Sequence, residues 1–211
     1  MNETGIRLER EALLIIDMQR GFCDPKGSMA RMGFDVGPCA AAIEPCRALI
    51  GAARAAGTPI FYTRYVYRAD YADGGFLVNE LIPALKESGC VAEGSWDAEL
   101  VPELTPQSGD YVIDKNRFSA FYGTRLEPFL RSLGIQTLIV GGVTTNMCVE
   151  TTVRDASQRD YRVYVVRQAT GEVDPARHES ALTSLGFGFA YVVDLEPMLG
   201  ALAAKARIEA G

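Results

Sequence analysis

Six short apolar runs, separated by segments with apolar residues at helical intervals, constrain the fold of this 211-residue chain more than any other feature. The runs are Ala12–Asp17, Pro59–Thr63, Tyr111–Asp114, Thr137–Val140, Arg162–Val166 and Ala190–Val193. Ala12-Leu-Leu-Ile-Ile16 has no polar residue to turn toward water, which suits a strand covered on both faces. Between the runs, Ala40–Ala56 carries Ala, Leu and Ile at helical spacing, with Gly57 as a C-cap. Thr124–Leu133 reads as a short helix closed by Gly134, and Asn146–Gln158, Pro175–Leu185 and Glu196–Ile208 read as further helices. This alternation predicts βαβ units, hence an α/β fold with a parallel sheet and helices on both faces. Met18–Gly37, rich in Gly, Asp and Pro, reads as loop. Residues 64–106 form a long irregular excursion, and such loops in compact domains are usually functional. With no internal repeat, low-complexity tract or linker, residues 1–211 read as one domain.

Three of the runs end in reactive groups. Asp17 closes the first and Lys115 the third. The fourth leads through Gly141-Gly142-Val143-Thr144-Thr145-Asn146-Met147 to Cys148, on the first turn of a predicted helix. In an open parallel sheet, ligands bind outside the carboxyl ends of the strands, so an acid, a base and a thiol far apart in sequence are delivered to one edge. At the start of a helix, unpaired N–H groups and the helix dipole favour negative charge, which helps a thiolate and an oxyanion formed beside it. Singly, each residue has a plainer reading: strands often end in a polar residue, and a free cysteine is often core.

The remaining composition narrows the chemistry. A net charge of −6 with scattered basic residues argues against a nucleic-acid partner. The five cysteines, Cys23, Cys39, Cys46, Cys90 and Cys148, contain no CxxC and suggest no disulfide framework, so a reducing compartment is expected. Met1–Arg10 lacks the apolar core of a signal peptide, and no apolar stretch is long enough to span a bilayer, so a soluble, cytoplasmic protein without a membrane partner is expected. The lone histidine, His178, reads as a surface residue of its helix and speaks against a His-based metal site.

A thiol, a carboxylate and an ammonium at one edge suit acyl transfer from an amide or carbamoyl group to water. Lys115 supplies positive charge near the thiol, and Asp17 takes the thiol proton and returns it to a leaving amine. Backbone N–H groups of the 144–148 turn, those of Thr144 and Cys148, hold the oxyanion.

Asp17-Met-Gln, Asp114-Lys115 and Gly142-Val-Thr-Thr-Asn-Met-Cys148 resemble, in order and spacing, the motifs of isochorismatase-like cysteine hydrolases, and the resemblance runs over roughly residues 10–195. It implies a three-layer αβα sandwich on a six-stranded parallel sheet, and a catalytic triad of Asp17, Lys115 and Cys148. It also implies a cis peptide at Val143-Thr144 that shapes the oxyanion hole, no cofactor, and a homodimer or homotetramer. The Asp-x-His metal motif of nicotinamidases is missing, so no metal is expected. Gly94-Ser-Trp-Asp97, Leu100-Val-Pro-Glu-Leu104 and Lys115-Asn-Arg-Phe-Ser-Ala-Phe121 look most like ureidoacrylate amidohydrolases. Met32-Gly-Phe-Asp35 and Asp17–Cys23 are also similar to biuret and N-carbamoyl amidohydrolases.

The expected activity is therefore a cysteine-dependent amidohydrolase acting through a thioester-type intermediate on a small linear amide, a carbamoyl or ureido compound. The alternatives are an isochorismatase-type vinyl-ether hydrolase, or a maleamate- or nicotinamide-like amidase. Phe22, Phe118 and Phe121 sit near the strand ends and either wall a planar substrate or anchor loops in the core. Arg117, with Arg64 and Arg68, either binds a substrate carboxylate or lies solvated at the surface. Asn146 reads as a helix N-cap and Trp96 as core of the long excursion.

Overall fold

A computed structural model describes residues 5–209; residues 1–4 and 210–211, part of the expected 1–211 domain, lie outside the described residues. The strands are β1 Glu11–Ile16, β2 Ile60–Tyr65, β3 Tyr111–Lys115, β4 Thr137–Val143, β5 Arg162–Gly171 and β6 Tyr191–Val193. They form one sheet of order β3-β2-β1-β4-β5-β6, parallel at every pairing. The longer helices are α1 Ile43–Ala55, α2 Leu126–Ser132, α3 Glu150–Ser157, α4 Pro175–Gly188 and α5 Leu195–Glu209. The chain is the expected three-layer αβα sandwich.

Period-two alternation within the all-apolar strands makes the layers. Leu14 and Ile16 of β1 face one side with Phe61, Ile113 and Val140, against Leu126 and Leu130 of α2, Val153 of α3 and Leu185 of α4. Leu13 and Ile15 face the other side with Tyr62, Ile139 and Val166, against Cys46 and Leu49 of α1 and Met198 and Leu202 of α5. Leu13 to Ile16 are fully buried. Each such side chain stabilises the fold by about 1.5–3 kcal/mol, so both faces of the central strand must be covered.

Three spans differ from the sequence reading. The 18–37 segment is not plain loop but carries one-turn helices at Arg20–Cys23 and Ser28–Arg31. The helix expected over 146–158 begins instead as a wider, π-type turn, Thr145–Val149, and becomes α-helical only at Glu150. β5 continues past Val166 to Gly171, because a register shift against β4 absorbs the polar Arg167-Gln168 step.

Strand order reverses between β1 and β4, and ligand sites of open α/β sheets form at that crevice. The two strands touch closely there. Ile16 pairs with Gly142, which has φ +124°, and a Cβ at Gly142 would fall against the Ile16 backbone. Gly142→Ala is therefore expected to lower unfolding stability by about 3 kcal/mol and to displace the turn that follows. Denaturant unfolding alongside an activity measurement checks this; a neutral substitution would show that the close approach is dispensable.

Candidate active site

The register of the sheet brings the three strand-end residues together. Asp17 follows β1 at φ +51°, a left-handed conformation that short polar side chains tolerate best. Its N–H is anchored by the Thr63 carbonyl at 3.1 Å and Thr63 Oγ1 at 3.2 Å. Thr63 Oγ1 in turn donates to Asp17 Oδ1 at 2.6 Å. Lys115, last residue of β3, reaches across β2 so that Nζ lies 2.6 Å from Asp17 Oδ2, both side chains fully shielded from solvent. The same ammonium donates to Cys148 Sγ at 3.3 Å and to the Arg117 carbonyl at 3.1 Å, and sits 4.3 Å from the centroid of the Tyr65 ring. An acid, a base and a thiol converge on one buried point, as their strand-end positions predict.

Burial works against the Lys115 ammonium, but Asp17 and Cys148 outweigh it and raise its pKa above the usual lysine value. The thiol behaves differently from the sequence expectation of a thiolate. Burial pushes it up, Lys115 pulls it down, and the Asp17 carboxylate, with which the thiol also hydrogen-bonds, pushes it up again. Because Lys115 is already balanced by Asp17, the resting thiol keeps its proton and needs a base. Iodoacetamide alkylation of Cys148 is expected to rise about tenfold per pH unit through pH 9 without levelling. A plateau below pH 8 in peptide-mapped rates would instead show a resting thiolate. The other cysteines are buried, and burial holds Cys39, Cys46 and Cys90 at about 12 and Cys23 well above the usual thiol value.

The Val143–Thr144 peptide is cis, at the bond the resemblance indicated. The Thr144 carbonyl accepts the N–H groups of Met147 and Val149, both at 3.2 Å, and passes over that of Cys148. The Thr144 N–H has no acceptor among the described residues. The Thr144 N–H is thus left without a protein acceptor at the turn that carries Cys148.

Cys148 opens onto a cavity of about 240 Å³ with largely apolar walls. Phe22 and Phe118 line it, together with Met29, Met32, Leu77 and Ile82. Phe121 does not: it is core, its ring tilted against that of Tyr161 at 5.9 Å between centroids, with Arg159 over its ring. Arg117 does not line it either. Its guanidinium donates to the carbonyls of Asp73 at 3.0 Å and Asn116 at 2.6 Å, pinning the turn that leads to Leu77. Arg64 and Arg68 pair with Asp114 and Asp70 at the surface. The excursion is tied to the rest of the site by two buried polar side chains. Gln19 bridges Tyr65 and Ala98, and Asp97 accepts from Ser28 and from the Val91 N–H.

Three further residues depart from the sequence reading. Asn146 does not cap the helix; its Oδ1 is buried without a hydrogen-bond partner, and the residue lines the cavity. His178 is half-buried rather than a surface residue. Its Nδ1 lies 2.9 Å from Thr145 Oγ1, which also bonds the Gly171 carbonyl at 3.0 Å. Trp96 is 39% exposed, not core, and lies under the Arg20 guanidinium at 5.0 Å. The arginine that does reach the cavity is Arg177, 3.5 Å from the buried Glu172, which lines the cavity as well. Neither was evident in the sequence, although Glu172 follows the true end of β5 as Asp17 follows β1. Among the described residues, no group of three or more His, Cys, Asp or Glu is placed to hold a metal, and no helix is long and apolar enough to cross a membrane.

The model of the isochorismatase domain matches residues 11–197. The chain is 34% identical over 211 residues to the ureidoacrylate amidohydrolase RutB of Methylobacterium radiotolerans, covering 94% of this chain and 82% of that protein. It is 33% identical to the ureidoacrylate amidohydrolase RutB of Klebsiella pneumoniae, covering 95% of this chain and 90% of that one. Among solved structures, a cysteine hydrolase from Pseudomonas syringae pv. phaseolicola matches with a TM-score of 0.85 at 30% identity, over 97% of this chain and all (100%) of the other. An N-carbamoylsarcosine amidase from Thermoplasma acidophilum matches with a TM-score of 0.71 at 27% identity, over 89% of this chain and 97% of the other. The chain belongs to the isochorismatase family.

Proposed function

We propose that this protein is a cysteine amidohydrolase that cleaves the C–N bond of a small linear carbamoyl or ureido compound, without metal or cofactor. The observation that carries this reading is the position of Lys115 Nζ, 2.6 Å from Asp17 Oδ2 and 3.3 Å from Cys148 Sγ, where Cys148 lines a cavity with mostly apolar walls. Relatives named ureidoacrylate amidohydrolase support the reaction class.

On this reading Cys148 Sγ attacks the carbonyl carbon while its proton passes to Asp17. The oxygen takes up the negative charge against the N–H groups of Thr144 and Cys148. Lys115 stays protonated throughout and keeps the site from accumulating net negative charge. Collapse breaks the C–N bond, and Asp17 gives its proton to the departing nitrogen, which leaves as an amine. The acyl or carbamoyl group is then held on sulfur. Asp17 next draws a proton from water, hydroxide adds to the thioester carbon, the C–S bond breaks, and the proton returns to the thiol. Phe22 and Phe118 hold a flat group at the nucleophile, and orientation of this kind contributes strongly to the rate. We also propose that the chain works in the cytoplasm as a homodimer or homotetramer. The exposed Phe76, Leu81 and Phe187 offer apolar surface for such contacts.

The test is a side-by-side comparison of kcat/KM for ureidoacrylate, N-carbamoyl amino acids, biuret, maleamate, nicotinamide and isochorismate. Release of ammonia or amine from the carbamoyl and ureido compounds is expected to dominate. A clear preference for nicotinamide or isochorismate would overturn the carbamoyl reading.

A further inference from the structure

The cavity holds few polar side chains, and two of them present acceptors close to the nucleophile. Glu172 is only 3% exposed and lines the cavity, yet its carboxylate is thinly bonded. Oε1 takes the Val173 N–H at 3.0 Å and the distant Arg177 at 3.5 Å, while Oε2 has only the Asn146 N–H at 3.4 Å. Asn146, two residues before Cys148, has its Oδ1 buried in the same wall with no partner at all. Buried acceptors left this short of donors are uncommon in folded proteins, and each one calls for an explanation. Here both lie on a cavity whose other walls are mostly apolar, with Phe22, Met32, Leu77, Ile82 and Phe118 among them and Tyr65, Tyr67, Thr144 and Arg177 as further polar side chains.

A ureido or carbamoyl group has the complementary pattern. Its one carbonyl oxygen is taken by the backbone donors of Thr144 and Cys148, and its nitrogens then present several N–H groups to a largely apolar surface. These need acceptors. We propose that Glu172 Oε2 and Asn146 Oδ1 are specificity-determining groups that receive the N–H donors of the substrate, so that the site takes carbamoyl compounds with an unsubstituted terminal nitrogen and rejects N-alkylated ones. This rests on the amidohydrolase reading above and deepens it. Sites built to hydrogen-bond a substrate group discriminate strongly against analogues that lack it, because their buried polar atoms are then left unpaired.

The experiment compares N-alkyl ureas, H2N–CO–NH–R, with their terminal N,N-dimethyl counterparts, and uses 4-nitrophenyl acetate as an acyl donor without N–H. Wild-type protein, Glu172→Leu, Asn146→Leu and Asn146→Asp are assayed, and Cys148 alkylation is followed in each. In wild type the unsubstituted ureas are expected to lead by about a hundredfold in kcat/KM. In Glu172→Leu and Asn146→Leu that preference should shrink by about tenfold, and the urea-to-ester ratio should fall with it. Asn146→Asp keeps an acceptor and should retain most of the preference. If wild type accepts the dimethyl compounds equally, or the variants keep the full preference, the inference is wrong. It is also wrong if urea and ester turnover fall in parallel while Cys148 alkylation slows, because the two residues then only shape the turn. If wild type cleaves the ester but no urea or other amide, the amidohydrolase reading itself fails, and this inference with it.

Discussion

Replacing Cys148 by alanine is expected to lower kcat on the preferred amide by about a thousandfold or more. The thiol has no stand-in: of the groups that meet at Cys148, Asp17 and Lys115 are already paired with each other. KM should change little, because the walls that hold the substrate are built by other side chains. The result separates covalent amide hydrolysis from the vinyl-ether alternative, in which Asp17 acts as an acid and no sulfur–carbon bond forms. That chemistry would survive the substitution nearly intact. If Cys148→Ala kept roughly a tenth of wild-type turnover, covalent catalysis would be excluded. Mass spectrometry of rapidly quenched wild-type enzyme should show an adduct on Cys148 and on none of the other cysteines.

The second large effect concerns the buried ion pair. Lys115→Ala leaves the Asp17 carboxylate shielded from water with only the Thr63 hydroxyl and the Cys148 thiol to bond it, and is expected to cost about 3–5 kcal/mol of unfolding stability. Activity should fall by about a thousandfold as well. The two losses can be separated. Replacing both partners by apolar residues, Asp17→Leu with Lys115→Met, removes the unpaired charge and should recover most of the stability, as apolar substitutes for buried ion pairs often do, while leaving the enzyme inactive. Urea unfolding and kcat on the same samples decide the matter. If the double variant regained activity along with stability, the pair would be structural only. If Lys115→Ala unfolded no more easily than wild type, the charge on Asp17 would have to be relieved in some other way, by taking up a proton.

Much of this was legible in the residues themselves. A strand buried on both faces needs an unbroken apolar run, and a crossover helix needs apolar residues at its own interval, so the six strands and the longer helices can be read from local pattern alone. The strand ends follow from the same pattern, which is why Asp17, Lys115 and Cys148 stand out although 98 and 33 residues separate the neighbouring members in sequence. The family resemblance carried by the motif around Cys148, rather than the residues alone, implied the cis bond at Val143–Thr144. Where the pattern broke, the reading broke with it. The polar Arg167-Gln168 step made β5 appear to end at Val166, and that hid Glu172, which sits just past the real end as Asp17 does on β1.

What the sequence by itself determined, then, was the layer architecture and the edge at which the reactive groups gather, because both depend on periodicity and on strand ends. Only the tertiary structure decided which side chains face the substrate. Arg117 and Phe121 lie beside Lys115 in sequence, yet one pins the 73–75 turn and the other fills the core against Tyr161. Met29, Met32, Leu77, Asn146, Glu172 and Arg177, drawn from four distant segments, line the cavity in common with Phe22 and Phe118. The charge state of the thiol was decided in the same way. It depends on the burial of Cys148 and on the 2.6 Å pairing of Lys115 with Asp17, and neither is a property of any local stretch of chain. Periodicity specifies which face of an element is apolar; which loop folds over that face, and how far apart two charges come to rest, is settled by packing across the sheet.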